Sequence, residues 1–157
     1  MRALLQRVRE ANVTIDGKLH NRIGRGLLIF LGVTHNDTIE GAQHLARRCA
    51  DMRIFEDNEG KMNLSVKDIS GEALVISQFT LYADTRKGNR PSFVAAAAPE
   101  YAEQCYDEFI RAFGDYYRKD AVRTGVFRAM MDIQLINDGP VTVMVETKDA
   151  HNSGGGA

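Results

Sequence analysis

The chain has 157 residues, of which 44% are hydrophobic and 26% are charged, and it contains three prolines. This composition argues against a disordered protein, and the length predicts one domain that buries roughly 68–70% of its unfolded surface. The net charge of −1 argues against a general nucleic-acid-binding protein, because such proteins usually carry a clear basic excess.

Strands and one helix are predicted in the N-terminal part of the chain. Alternating apolar residues at 4–8 and 12–15 predict a hairpin that continues through an Asp-Gly turn. The apolar run 26–33 predicts a buried strand. Apolar residues then recur at helical spacing, and Asp37 or Thr38 is available as the cap of this first helix.

A second helix and further strands are predicted in the C-terminal part. The expected strands lie at residues 53–55, 72–79, 130–136 and 141–147. Pro99 is a good first residue for the second helix, whose apolar face Gly114 helps to end. Strand pairs interrupted by two long helices, without regular alternation of strand and helix, predict an α+β fold in which helices cover a sheet.

Domain organisation and cellular location also follow from the sequence. One domain is expected at residues 1–148, with a flexible tail at 149–157 that has no large apolar side chain to anchor it. Charges near the N-terminus, and the lack of a run of roughly 20 apolar residues, predict a cytoplasmic protein without membrane contact. Cys49 and Cys105 occupy apolar helix positions, which favours burial over a disulfide. No Cys/His pair has zinc-site spacing, so we expect no metal and no cofactor.

The end of the strand at 72–79 is the strongest chemical candidate. It contains Ser77, Gln78, Phe79, Thr80 and Leu81. Ser77 or Thr80 could attack an ester, but a hydroxyl is a weak nucleophile without an adjacent base. His35 or Asp84 could approach in the fold, although no nucleophile elbow is present. The simpler interpretation is that the hydroxyls cap the strand end, although the residues alone leave the nucleophile open.

Two further features could contribute to a site. Gln78 could bind a polar ligand group or tie two loops together, and backbone amides near Phe79 could stabilise an oxyanion. Gly139-Pro140 could hold a cis peptide bond, because an X-Pro bond has only a small trans preference. Composition alone favours an ordinary hairpin turn between the last two strands.

Four stretches together carry a family resemblance. They are residues 60–63 (Gly-Lys-Met-Asn), 77–81 (Ser-Gln-Phe-Thr-Leu), 86–93 (Arg-Lys-Gly-Asn-Arg-Pro-Ser-Phe) and 137–142 (Asn-Asp-Gly-Pro-Val-Thr). In their order and spacing they resemble the D-aminoacyl-tRNA deacylases, the D-tyrosyl-tRNA deacylase family, over residues 1–147. The resemblance implies β-rich sheets, barrel-like or sandwich-like, covered by two long helices.

The resemblance also implies an activity. The enzyme would hydrolyse the ester that joins a D-amino acid, or glycine mischarged on tRNA-Ala, to the terminal adenosine of tRNA, as chiral proofreading in translation. Two groups of residues would form its site in a homodimer: Ser77, Gln78, Phe79 and Thr80 for catalysis, and Leu81, Asn137, Gly139 and Pro140 for substrate binding and chiral selection. The cis Gly139-Pro140 of one subunit would face the partner's catalytic segment, and its carbonyls would exclude an L side chain.

The implied catalysis is RNA-assisted. The 2′-hydroxyl of the terminal ribose would help to activate water, while amides near Phe79 and Thr80 stabilise the oxyanion. Contact with acceptor-stem phosphates is implied for three residues, which are Arg86, Lys87 and Arg90. No DNA partner is expected. Two alternatives remain: an esterase with Thr80 as its nucleophile, and a tRNA-binding module without catalytic activity.

Overall fold

The computed structural model describes residues 1–147, so the tail expected at 149–157 lies outside the described residues. In chain order the elements are β1 Arg2–Ile15, β2 Lys18–Ile23, β3 Gly26–Gly32, α1 Ile39–Ala50, β4 Phe55–Glu56, β5 Met62–Leu64, β6 Glu72–Ser77, α2 Pro99–Tyr116, β7 Val122–Thr124 and β8 Asp132–Glu146. Short 3₁₀ turns occupy Phe79–Tyr82 and Lys119–Ala121.

The main sheet is mixed and nearly closed, like a barrel. Its strand order is β2-β1-β3-β6-β7, and β8 also pairs with β1. β1 is antiparallel to β2, β3 and β8, whereas β6 runs parallel to both β3 and β7. The predicted α+β class, with a barrel-like sheet and two long helices, is confirmed.

The core lies on both faces of the central strands. Leu27 and Ile29 of β3 pack in the larger cluster, which also contains Leu45 of α1 and Phe109 of α2. Leu28, on the opposite face of β3, packs in a second cluster under the other side of the sheet. Each fully buried aliphatic side chain of this kind contributes about 1.5–3 kcal/mol, so β3 is anchored in the core from both faces.

Both helices begin where the sequence predicts. The Thr38 hydroxyl caps α1 by accepting a hydrogen bond from Gly41 N at 3.0 Å. Pro99 begins α2, which continues past Gly114 to Tyr116. The two cysteines are free and buried. In the part of the chain that the structure describes, no helix is long and apolar enough to cross a membrane.

Two local predictions were wrong because long-range pairing overrides local composition. The runs at 4–8 and 12–15 both belong to β1, and the hairpin joins β1 to β2 instead. At Gly139-Pro140 the chain does not reverse: β8 pairs with β1 on both sides of this dipeptide. Between the pairs Gln6↔Thr142 and Val8↔Asn137, four residues of β8 lie opposite one residue of β1. Gly139-Pro140 is therefore part of a bulge and not of a hairpin turn.

Candidate active site

A cavity of about 440 Å³ opens beside the ends of β3 and β6 and the start of α2. Parallel strands end at the same edge of a sheet, so this edge brings residues from both strands together. Most of the wall is apolar, and the lining residues are Leu31, Val33, Ser77, Gln78, Phe79, Phe93, Ala96, Ala97, Pro99, Ala102, Tyr106, Phe127 and Arg128. A cavity of this size and character suits a small organic group.

The segment at 77–81 forms one wall of the cavity. Ser77 is the last β6 residue paired with β3, and Gln78 N then donates to Leu31 O at 2.8 Å. The chain next enters the 3₁₀ turn, where the Gln78 side-chain amide donates to the Thr80 hydroxyl. Phe79 is 58% exposed, and its ring forms an edge-to-face pair with the ring of Phe93, with centroids 5.1 Å apart. Three of the predicted catalytic residues thus line the cavity, and Thr80 is bonded to one of them.

The 3₁₀ turn beside this wall begins with backbone amides that have no partner within the turn. The first N–H groups of a helical turn have no hydrogen-bond partner within it. Here they include those of Phe79 and Thr80, the first two residues of the turn. Such groups can donate to an oxygen on which negative charge develops.

The two side chains that could serve as a base have other partners. His35 Nε2 lies 2.6 Å from Val94 O. Asp84 accepts from Arg86 Nε at 2.8 Å and Nη2 at 2.7 Å, and this guanidinium holds the pKa of the Asp84 carboxyl well below its usual range. Within residues 1–147, neither bonds to the Thr80 hydroxyl, and no group of three His, Cys, Asp or Glu side chains could hold a metal.

The second group of predicted residues lies away from this cavity in the single chain. Gly139 and Pro140 are exposed, the bond between them is cis, and neither lines the cavity. Asn137 spans the bulge, because its Oδ1 accepts from Val141 N at 2.8 Å and its Nδ2 donates to Val141 O at 3.2 Å. Leu81 is half-buried, and its carbonyl accepts from Arg2 Nη1 at 2.9 Å.

Arg7 is hydrogen-bonded to the backbone of the bulge. The sequence did not lead us to predict this role. Arg7 is the β1 residue opposite the four bulged residues, and its side chain is only 6% exposed. Its Nε donates to Asp138 O at 2.7 Å and its Nη1 donates to Ile54 O at 2.8 Å. A signal was present in the sequence: Arg7 continues the inward positions of Ala3 and Leu5, and a charged residue there needs buried partners.

The predicted tRNA contacts lie on an exposed loop. Arg86, Lys87 and Arg90 are all exposed, and backbone hydrogen bonds between Asp84 and Ser92 close the loop at its base. Arg86 is already paired with Asp84, so its charge is partly neutralised. Lys87 and Arg90 make no ion pair with any residue in the described range 1–147.

Comparison with known proteins gives consistent matches. A model of the family described as D-Tyr-tRNA(Tyr) deacylase matches residues 4–146. The chain is 57% identical over 149 residues to a D-aminoacyl-tRNA deacylase of Chloroflexus aurantiacus, covering 95% of this chain and 92% of that protein. It is 53% identical over 150 residues to a D-aminoacyl-tRNA deacylase of Bacillus cereus, covering 94% and 100%.

Two solved structures are similar to this one. One, described as a c-Myc DNA unwinding element binding protein, has a TM-score of 0.89 and 40% identity, with 93% of this chain and 98% of that chain covered. The other, described as a probable eukaryotic D-amino acid tRNA deacylase, has a TM-score of 0.76 and 19% identity, with 92% and 97% covered. At 19% identity the second similarity concerns the fold alone.

Proposed function

Since this chain belongs to the D-Tyr-tRNA(Tyr) deacylase family, we propose that it hydrolyses the ester between a D-amino acid and the terminal adenosine of tRNA. The observation that carries this proposal is the match of residues 4–146 to the family, with relatives named for this activity at 57% and 53% identity. In support, a cavity whose size suits a small organic group lies beside residues 77–79.

The chemistry proposed for this cavity depends on backbone groups and on the substrate itself. Water attacks the ester carbonyl carbon, negative charge develops on the carbonyl oxygen, and the bond to the ribose oxygen breaks with return of a proton to that oxygen. The amides of Phe79 and Thr80 would bind the developing oxyanion. The 2′-hydroxyl of the terminal ribose would help to activate the water. In support, His35 and Asp84 are both engaged with other groups.

The Thr80 hydroxyl is assigned a positioning role. It accepts a hydrogen bond from the Gln78 amide, so its own proton can be donated to a substrate oxygen. A nucleophilic hydroxyl would instead need a base to remove that proton. The esterase alternative therefore needs a base that acts on Thr80 only when substrate is bound.

Chiral selection is assigned to Gly139-Pro140 of a second copy of the chain. This dipeptide is exposed on a bulge that Arg7 holds, and it does not line the cavity of its own chain. In a homodimer its carbonyls would face the α-carbon of the substrate and leave no room for an L side chain. Glycine has no side chain to exclude, so glycine mischarged on tRNA-Ala is also a proposed substrate.

The activity test uses D-tyrosyl-tRNA, L-tyrosyl-tRNA and glycyl-tRNA, each with a terminal 2′-hydroxyl or a 2′-deoxyribose. The expected result is release of D-tyrosine and glycine but not L-tyrosine, insensitivity to EDTA, and loss of activity on the 2′-deoxy substrates. Cleavage of the 2′-deoxy substrates would favour the Thr80 esterase. Tight tRNA binding without release of any amino acid would favour the binding module.

The dimer test mixes two inactive variants, Thr80→Pro and Gly139→Trp, after unfolding and refolding them together. If each site uses residues 77–80 of one subunit and Gly139-Pro140 of the other, half of the dimers are mixed and each mixed dimer has one intact site. Activity should then return to about a quarter of the wild-type value. A site made within one subunit predicts no recovery, and each variant refolded alone is the matched control.

A further inference from the structure

The cavity contains a single charged side chain. Among its thirteen lining residues, all of them in the described range 1–147, Arg128 is the only one with a formal charge. Phe79, Phe93 and Phe127 also line the cavity. A single cation on a mostly apolar wall is a strong determinant of what the cavity accepts.

The Arg128 guanidinium is unpaired within the part of the chain that the structure describes. It is exposed, and none of the residues that the structure describes forms a hydrogen bond or an ion pair with it. Arg7 and Arg86, by contrast, bind oxygen atoms of neighbouring residues. All the donors of Arg128 are therefore available to an external acceptor.

The backbone at Arg128 is in a conformation that glycine normally adopts. Its φ is +66°, in the left-handed region, and it is the third residue of a turn that Ala129 N closes on Val126 O at 3.2 Å. A positive φ at this turn position favours Gly or Asn. A non-glycine residue held in this conformation at a cavity is an indicator of function.

The chemistry of the substrate indicates what Arg128 binds. The α-ammonium of an aminoacyl ester carries a positive charge, which a guanidinium repels. The nearest anion to the ester is the phosphodiester on the 5′ side of the terminal adenosine, and guanidinium groups bind phosphate oxygens with two parallel hydrogen bonds. This phosphate is one nucleotide unit from the reacting carbonyl, whereas the acceptor-stem phosphates are farther away.

We infer that Arg128 binds the phosphate of the terminal nucleotide and so makes the site selective for the 3′ end of tRNA over a small ester. The inference rests on the proposed function, because it assumes that the ester lies in this cavity. Arg128 would act on binding of the nucleotide and not on the chemical step. It is a specificity residue of the site, distinct from the residues of the 77–81 segment.

The experiment compares two non-hydrolysable inhibitors of D-tyrosyl-tRNA hydrolysis. They are 3′-(D-tyrosylamino)adenosine and the same compound with a 5′-phosphate, tested on the wild type and on Arg128→Ala. The wild type should bind the phosphorylated compound about tenfold more tightly, as expected for a charge-assisted contact. Arg128→Ala should bind the two compounds equally, and Arg128→Lys should recover part of the preference. On D-tyrosyl-tRNA, Arg128→Ala should raise KM about tenfold with kcat unchanged.

Two controls separate this contact from a structural role. Arg128→Gly suits the positive φ, so its melting temperature should equal or exceed that of the wild type while the phosphate preference is lost. Ser70→Gly changes another residue of positive φ, 52°, which does not line the cavity, and should leave KM unchanged.

The outcomes also separate this inference from the proposed function. A wild type without phosphate preference, or an Arg128→Ala variant that keeps it, would overturn the inference while D-tyrosyl-tRNA hydrolysis stands. A drop in kcat with no change in KM would overturn it as well. A wild type that leaves D-tyrosyl-tRNA intact would reject the proposed function itself.

Discussion

Replacing Arg7 with Lys should destabilise the protein and weaken its discrimination against L-amino acids. The Arg7 guanidinium binds two backbone carbonyls at once, Asp138 O in the bulge and Ile54 O before β4. The ammonium group of lysine keeps the charge, but it is a compact point that cannot reproduce this forked geometry. One of the two carbonyls then loses its hydrogen-bond partner inside the protein. The bulge that carries Gly139-Pro140 is then no longer joined by Arg7 to the segment before β4.

The size of the effect follows from burial and charge. The Arg7 side chain is 6% exposed, and its two hydrogen bonds measure 2.7 and 2.8 Å. A hydrogen bond to a charged group contributes about 1.5–3 kcal/mol, so the loss of one should cost ~2 kcal/mol. For a chain of this length, that cost corresponds to a fall in melting temperature of about 4–8 °C.

Arg9 provides a matched control on the same strand. It also contacts Asp138, with Nε 3.4 Å from Oδ1, but its side chain is 72% exposed. Exposed ion pairs contribute about 0–1 kcal/mol, so Arg9→Lys should have little effect. Denaturation of both variants at one protein concentration measures stability, and the ratio of D- to L-tyrosyl-tRNA cleavage measures discrimination. Equal stability losses in the two variants, or an unchanged ratio in Arg7→Lys, would refute the reasoning.

Three further predictions concern the bulge, the cavity and the basic loop. Gly139 has a φ of +151°, and in Gly139→Ala the new Cβ would lie 2.7 and 2.9 Å from atoms of Val141, so this variant should lose about 1–3 kcal/mol of folding free energy and all activity. Gly60→Ala is the control: Gly60 has a φ of +74° with open space around it, so the variant carries only the cost of the backbone conformation and should stay active. Thr80→Val should lower the rate of single-turnover deacylation by up to about tenfold, as expected for one lost hydrogen bond, whereas Thr80→Ser should retain most of the rate. Complete loss of deacylation in Thr80→Val with normal tRNA binding would indicate that Thr80 is the nucleophile. Asp84→Asn should break the ion pair with Arg86 and so tighten tRNA binding. Binding titrations at several salt concentrations should then show a plot of log binding constant against log salt concentration that is steeper by about one unit. An unchanged slope would show that Arg86 does not contact the tRNA.

Periodicity in the sequence was sufficient to predict most of the fold. The alternation in β1, the apolar run of β3 and the helical spacing after Thr38 all correspond to observed elements. Gly139-Pro140 was harder to interpret, because the same dipeptide suits a hairpin turn and a bulge. Pairing of β8 with β1 decides between them, and it involves residues more than 100 positions apart.

The sequence predicted the part of the candidate site that follows a strand. It did not predict the parts whose position depends on local backbone geometry. Ser77, Gln78 and Phe79 could be placed together because they lie at the end of a buried strand and directly after it. The 3₁₀ turn after them was missed, since Phe79 continues the apolar pattern of β6. The positive φ of Arg128 has no signal in the sequence, because arginine gives no indication of a left-handed turn residue.

The pairing of β1 with β8 also has a consequence for biosynthesis. Arg2 is opposite Glu146 and Thr14 is opposite Asp132. During synthesis β1 therefore cannot pair with β8 until the ribosome has made residues more than 100 positions later. Until then β1 has one unpaired edge, and its hydrogen-bonding groups are open to other strands. Synthesis proceeds at about 5–20 residues per second, so this edge is exposed for several seconds on each nascent chain. In the finished fold β8 pairs with this edge from Arg2 to Thr14, so the fold no longer shows the exposure that each nascent chain passes through.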